Sequence, residues 1–154
     1  MKRLTVLVAA LAVAPALSAP AFAAPAAGCT PTQQDSFGPF GRGMPPLRSS
    51  IGHGHVLTGV VLSALNCRPL RNARVEFWQE SAQGGYTRAT SGTVVTDAKG
   101  RFRFEGPFPH SEQGFPHIHL RVLAEGHKPL LTRYEPAQGE RSGSVRLVLE
   151  PAEL

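Results

Sequence analysis

Cysteine, tyrosine and tryptophan are scarce in this chain, and long apolar runs, helical periodicity and blocks of like charge are missing from most of it. Two cysteines among 154 residues leave room for one intramolecular bridge at most. After residue 23 no apolar run approaches the length needed to span a bilayer, which leaves no transmembrane helix. After residue 23 no stretch of ten or more residues repeats with the helical period, which argues against a helical domain. Arginines are spread singly through the sequence, without a basic block or interleaved aromatics, and this excludes the usual nucleic-acid footprint. There is no internal repeat.

What is present begins with an export signal. Lys2 and Arg3 form a basic start, Leu4 to Leu17 an apolar stretch, and Ala21-Phe22-Ala23 an A-x-A cleavage site, so residues 1–23 are read as a signal peptide. The expected location is the periplasm or the exterior. Without Lys2 and Arg3 the chain carries 14 basic and 11 acidic residues, a net of +3. In an oxidising compartment the cysteine pair predicts a Cys29–Cys67 disulfide. The rival reading is lipidation, because Ala26-Ala27-Gly28-Cys29 loosely resembles a lipid-attachment box.

Residues 24–53 are rich in Pro, Gly and Ser and read as an arm laid over a domain formed by residues 54–154. That domain is a series of short β-type runs: His55–Leu62, Ala73–Gln79, Gly92–Thr96, Arg101–Phe104, Pro116–Ala124, Pro129–Tyr134 and Ser144–Leu149. A turn at Asp97-Ala98-Lys99-Gly100 separates two of them. Short alternating strands with Gly, Pro and Asn between them predict an all-β sandwich.

One strand carries chemistry. In Pro116-His117-Ile118-His119 the alternation of an extended chain puts His117 and His119 on one face and Ile118 on the other. Two imidazoles on one face form half of a metal site, histidine being the commonest metal ligand. A plain pair of surface histidines would look the same in sequence.

The ordered fragments resemble the catalytic domain of the intradiol ring-cleavage dioxygenases, relatives of protocatechuate 3,4-dioxygenase and catechol 1,2-dioxygenase. They are Thr30-Pro31-Thr32-Gln33, Gly38-Pro39-Phe40, Leu57-Thr58-Gly59-Val60-Val61, Cys67-Arg68-Pro69-Leu70 and Ala73-Arg74-Val75-Glu76-Phe77-Trp78-Gln79. Gly84-Gly85-Tyr86, Thr96 to Phe104 and Pro116-His117-Ile118-His119 complete the series. The resemblance implies a β-sandwich holding non-haem Fe(III) through tyrosines and histidines, acting on a small aromatic diol with O2. Carried over by position, it makes Tyr86, His117 and His119 metal ligands and places Tyr134 near substrate. A phenolate is a hard anionic donor suited to a ferric ion.

The family's second tyrosine is missing. Only Tyr86 and Tyr134 exist in the chain. Aligned on Gly106-Pro107, Phe108 takes the vacant position; aligned backwards from Pro116, Glu112 does, and His110 is a third candidate. Glu112 is thus a possible fourth ligand or proton acceptor. The arginine that usually precedes Pro-x-His-x-His is absent too, with Gly114 and Phe115 in its stretch, and Phe115 is placed at the pocket. Trp78 is assigned to the core or pocket wall, and His53, His55 and His127 to the solvent. Two other readings stay open: a metal-binding relative with impaired catalysis, and a non-enzymatic transthyretin-like sandwich. Oligomeric state is left open.

Overall fold

The computed structural model describes residues 29–35, 37–40, 43–110 and 114–153. The signal-peptide segment 1–23 and Glu112 lie outside the described residues. Seven strands follow one another: β1 (His55–Ser63), β2 (Arg74–Glu80), β3 (Tyr86–Val95), β4 (Arg101–Gly106), β5 (Ile118–Leu123), β6 (Leu130–Tyr134) and β7 (Ser142–Leu149). They form a three-stranded sheet, β4-β1-β7, and a four-stranded sheet, β3-β2-β5-β6. All pairings are antiparallel except β1 with β7. Among the described residues there is no helix long and apolar enough to cross a membrane.

The alternation in the sequence is what joins the two sheets. Val75 and Phe77 of β2, Ile118, Leu120 and Val122 of β5, and Leu57 and Val61 of β1 turn to one shared interior and are fully buried. Phe77 stacks on Phe104 across the gap at 4.2 Å between ring centroids. At Gly59 the backbone comes so close to Phe102 that an added Cβ would lie 2.5 Å from its ring. The turn before β4 closes as its composition demands: Asp97 Oδ1 accepts from the backbone N–H groups of Lys99 and Arg101, and Gly100 takes φ +70°.

Strand β3 is longer than the alternation implied, beginning at Tyr86 instead of Gly92. Its first half, Tyr86 to Thr90, is exposed or half-buried, so it carries no apolar face to announce it. The ladder between β2 and β3 also shifts register between Trp78 and Glu80, where Glu80 comes to pair with Tyr86.

The other face of the four-stranded sheet is roofed by the segment before β1. Pro46 O accepts from Thr93 N at 2.8 Å and Arg48 N donates to Thr93 O at 3.0 Å. Asp35 N donates to Leu131 O at 2.7 Å, and Arg121 Nη1 to Phe40 O at 2.8 Å. Cys29 and Cys67 form a disulfide that ties the beginning of this segment to the loop after β1. Beneath the roof Glu76 is wholly buried, ion-paired to Arg121 and, at 3.5 Å, to Arg74.

Candidate metal centre

The register of the four-stranded sheet assembles the site. Trp78 pairs with His119 and His119 with Arg133, so these three form one row on the roofed face. Two residues earlier on the β5 segment, His117 falls on the same face. Tyr86 enters from the start of β3, aimed by the turn before it. There Gly84 and Gly85 both have positive φ, at 79° and 72°, and Ser81 N donates to Gly85 O at 2.8 Å. Successive left-handed residues are tolerated because both are glycine.

The result is a triangle of donor atoms. Tyr86 Oη lies 3.0 Å from His119 Nε2 and 3.3 Å from His117 Nε2, and the two imidazole nitrogens are 3.0 Å apart. The proton of His117 is fixed on Nδ1, which bonds Phe115 O at 2.8 Å, since a carbonyl only accepts. His117 Nε2 therefore presents its lone pair to the triangle, where three donor atoms have at most two protons to share. Two ligands at right angles on a first-row cation, with bonds of about 2.1 Å, stand about 3.0 Å apart. The triangle has that edge length, and the hydrogen bond from His117 Nδ1 is the kind that orients metal-bound imidazoles. The residues present fit a cation. Among the described residues no group of three or more His, Cys, Asp or Glu side chains gathers to hold a metal; the third corner of this triangle is a phenol.

Electrostatics favour the ligand form of His119. His119 is buried, and its pKa is lowered to about 4, first by burial and then by the neighbouring His117. It is a neutral imidazole at ordinary pH. Tyr86 is held above the usual phenol range by burial and by the charge of Glu80, so it becomes a phenolate only against a strongly charged ion. His119 Nδ1 is buried with no hydrogen-bond partner among the described residues. Gly38 closes over it, and a Cβ there would sit 2.9 Å from Nδ1. Phe40 packs edge-on against both Trp78 and His119, at 5.7 and 5.6 Å.

Two cavities flank the triangle. One of about 420 Å³ is lined by Phe37, Gly38, Pro39, Tyr86, His117, His119 and Arg133. The other, of about 430 Å³, is lined by Glu80, Tyr86, Gly114, Phe115, His117, Arg133 and Glu135. Trp78 is buried and also walls a third hollow beyond Tyr86.

Other expected site residues stand elsewhere. Tyr134 alternates with Arg133 and so faces the sandwich interior, stacked on His55 and donating to Glu140 Oε2 at 2.9 Å. Burial, then that carboxylate, raises its pKa to about 12. The structure does not bring it to the triangle. His110 is exposed and forms a β-bridge opposite Glu80. Phe108 turns toward His55, 6.1 Å between centroids. His55 was expected in solvent and is instead 1% exposed, because its Nδ1 finds the carbonyl of Glu140 at 2.7 Å. His53 is exposed beside Glu105, and His127 is half-buried with Nε2 2.9 Å from Ser63 Oγ. The residues the sequence did not mark as a group are Glu80, Glu135, Asp35 and Arg133. Arg133 Nε lies 2.8 Å from Glu135 and 3.4 Å from Asp35. Its position beside His119 follows from strand register, which no local motif spells out.

No protein-family model matches the sequence, and no curated protein does. Solved structures do. The dioxygenase domain of a dioxygenase carbohydrate-binding protein fusion from the cellulolytic bacterium Streptomyces sp. SirexAA-E has a TM-score of 0.67 at 26% identity, over 80% of this chain and 100% of that one. An intradiol ring-cleavage dioxygenase from Tetranychus urticae gives 0.66 at 19% identity, covering 81% and 96%. Hydroxyquinol 1,2-dioxygenase from Pseudomonas putida gives 0.65 at 18%, covering 79% and 67%. The fold is the all-β sandwich of the intradiol ring-cleavage dioxygenases, and the ordered motifs of the sequence resemble that family's catalytic domain.

Proposed function

We propose that this protein is an exported, non-haem Fe(III) dioxygenase that cleaves a catechol-type diol between its hydroxyls. The observation that carries the reading is the triangle of one phenol and two imidazoles, with edges of 3.0 to 3.3 Å. Tyr86, His117 and His119 would hold the ion. When bound, a ferric ion would supply the positive charge that acidifies the diol and couples it to O2.

The remaining work falls to the chain. His117 is fixed as an acceptor by the carbonyl of Phe115, and the Phe40 and Gly38 roof shields His119 from water. Arg133 and Glu80 frame the mouth where the diol enters. Two carboxylates, Glu80 and Glu135, stand on the cavity wall and are candidates to accept a proton that the diol gives up; Glu135 is already ion-paired to Arg133. The balance is simple: a catechol and one O2 give a cis,cis-muconate-type diacid, with both oxygen atoms retained.

The test is a purified, iron-loaded sample. It should hold about one iron per chain, absorb in the visible, and consume O2 with catechol. His119→Ala should lose most of its iron and the colour together. Iron retained in that variant would overturn the site; iron bound without turnover of any catechol or hydroxylated benzoate would overturn the activity. The second outcome has its own support: the chain's other tyrosine, Tyr134, faces the sandwich interior away from the triangle, and His110 lies exposed. That result would assign a metal-binding relative with impaired catalysis.

A further inference from the structure

The rim of the site carries two of the most exposed aromatic rings among the described residues, and each lines a different one of the two cavities at the triangle. Phe37 is 78% exposed and lines the 420 Å³ cavity; Phe115 is 81% exposed and lines the 430 Å³ cavity. Both cavities share Tyr86, His117 and Arg133, so each opens onto the proposed metal. Both residues are held at the backbone. Phe37 N donates to Asp35 Oδ1 at 3.0 Å, and the carbonyl of Phe115 is the acceptor that orients His117. An exposed ring that lines a cavity offers a bound aromatic ligand a face or edge to pack against.

Volume points the same way. Each cavity falls in the range of about 300–1,000 Å³ typical of pockets for drug-sized ligands, well beyond what one hydroxylated ring fills. A diol seated on the triangle would leave at least one lobe empty and one phenyl ring bare. We infer that the substrate is an aryl-extended catechol, with the diol at the triangle and a second aromatic ring against Phe37 or Phe115. The inference rests on the dioxygenase reading and names its substrate class. Aromatic pairs prefer offset or edge-to-face contact, which a rim ring permits without a closed pocket.

The test compares catechol with 4-phenylcatechol on the iron-loaded protein, in wild type, Phe37→Ala, Phe115→Ala and the double variant. Affinities are measured by calorimetry without O2, and kcat/KM with O2. Wild type should favour 4-phenylcatechol by several-fold to about tenfold, the scale of one aromatic pair. One single variant, and the double, should lose that preference, read as the ratio of 4-phenylcatechol to catechol affinity within the same protein; the variant that loses it names the lobe. Both rings are exposed, so folding should be unaffected, and a melting curve checks this. A preference that survives in the double variant, or that wild type never shows, overturns the inference. So does a change of oligomeric state in the variants with affinities unmoved, which would make the rim a contact between copies of the chain. If wild type turns over neither compound but binds 4-phenylcatechol with the expected variant pattern, the activity falls and the aryl site stands.

Discussion

The outer faces of the two sheets are built from similar charged residues and treat them in opposite ways. On the three-stranded sheet Arg101 pairs with Asp97 at 3.3 Å and Arg103 with Glu105 at 2.8 Å, all in or near solvent. On the four-stranded sheet Glu76, Arg121 and His119 lie under the roof formed by the segment before β1, with the Glu76 side chain 1% exposed. Water screens the first set and is excluded from the second. A charge on the bare face has little to lose; a charge under the roof depends on its partner.

That contrast can be broken most severely at Arg121. Arg121→Met leaves the Glu76 carboxylate buried with Arg74 alone and removes the donor to Phe40 O. Stability should drop by about 3–5 kcal/mol, measured by urea unfolding. Removing the roof's anchor ranks next. Cys67→Ser should cost about 3–4 kcal/mol if loop closure dominates, and should free the roof to exchange amide protons faster than the sheet beneath it. A melting temperature unchanged by reduction would show that the disulfide does not hold the roof.

Acid probes the same buried face more gently. His119 has its pKa lowered to about 4, so between about pH 6.5 and 4 the unfolded chain binds a proton that the folded chain refuses. Stability of metal-free protein should therefore fall as the pH drops through that window, and His119→Ala should flatten the slope. The smallest effect belongs to the bare face. Arg103→Ala removes an exposed pair and should leave the unfolding midpoint in place; a clear shift would mean that face is covered in solution.

The same division decides what could be read from the sequence. All seven strands were legible because one face of each is apolar, as in Ile118, Leu120 and Val122. The start of β3 was not, since Tyr86 to Thr90 alternate nothing. Tyr86, His117 and His119 were marked as a set by motif order and by the spacing of two. Arg133 and Glu80 join them through ladder register and a shift after Trp78, neither of which has a local signature. Tyr134 resembled a substrate neighbour by motif, yet pairing Ile118 with Tyr134 commits its ring to the interior. His55 looked like a surface residue because the carbonyl that accepts from its Nδ1, on Glu140, is distant in sequence.

The parallel pairing of β1 with β7 has a consequence in time. Strand β1 is the centre of its sheet, and one of its two neighbours is β7, the last of the seven described strands to be made. While the chain emerges N-terminus first, β1 can pair with β4 but keeps an open edge until β7 arrives. Such an edge invites pairing with other chains, and contacts so distant in sequence form slowly. The four-stranded sheet, with β2, β3, β5 and β6 drawn from the middle of the chain, can be complete before then. The proposed metal ligands would thus be assembled on a sheet that exists before the sandwich closes behind it.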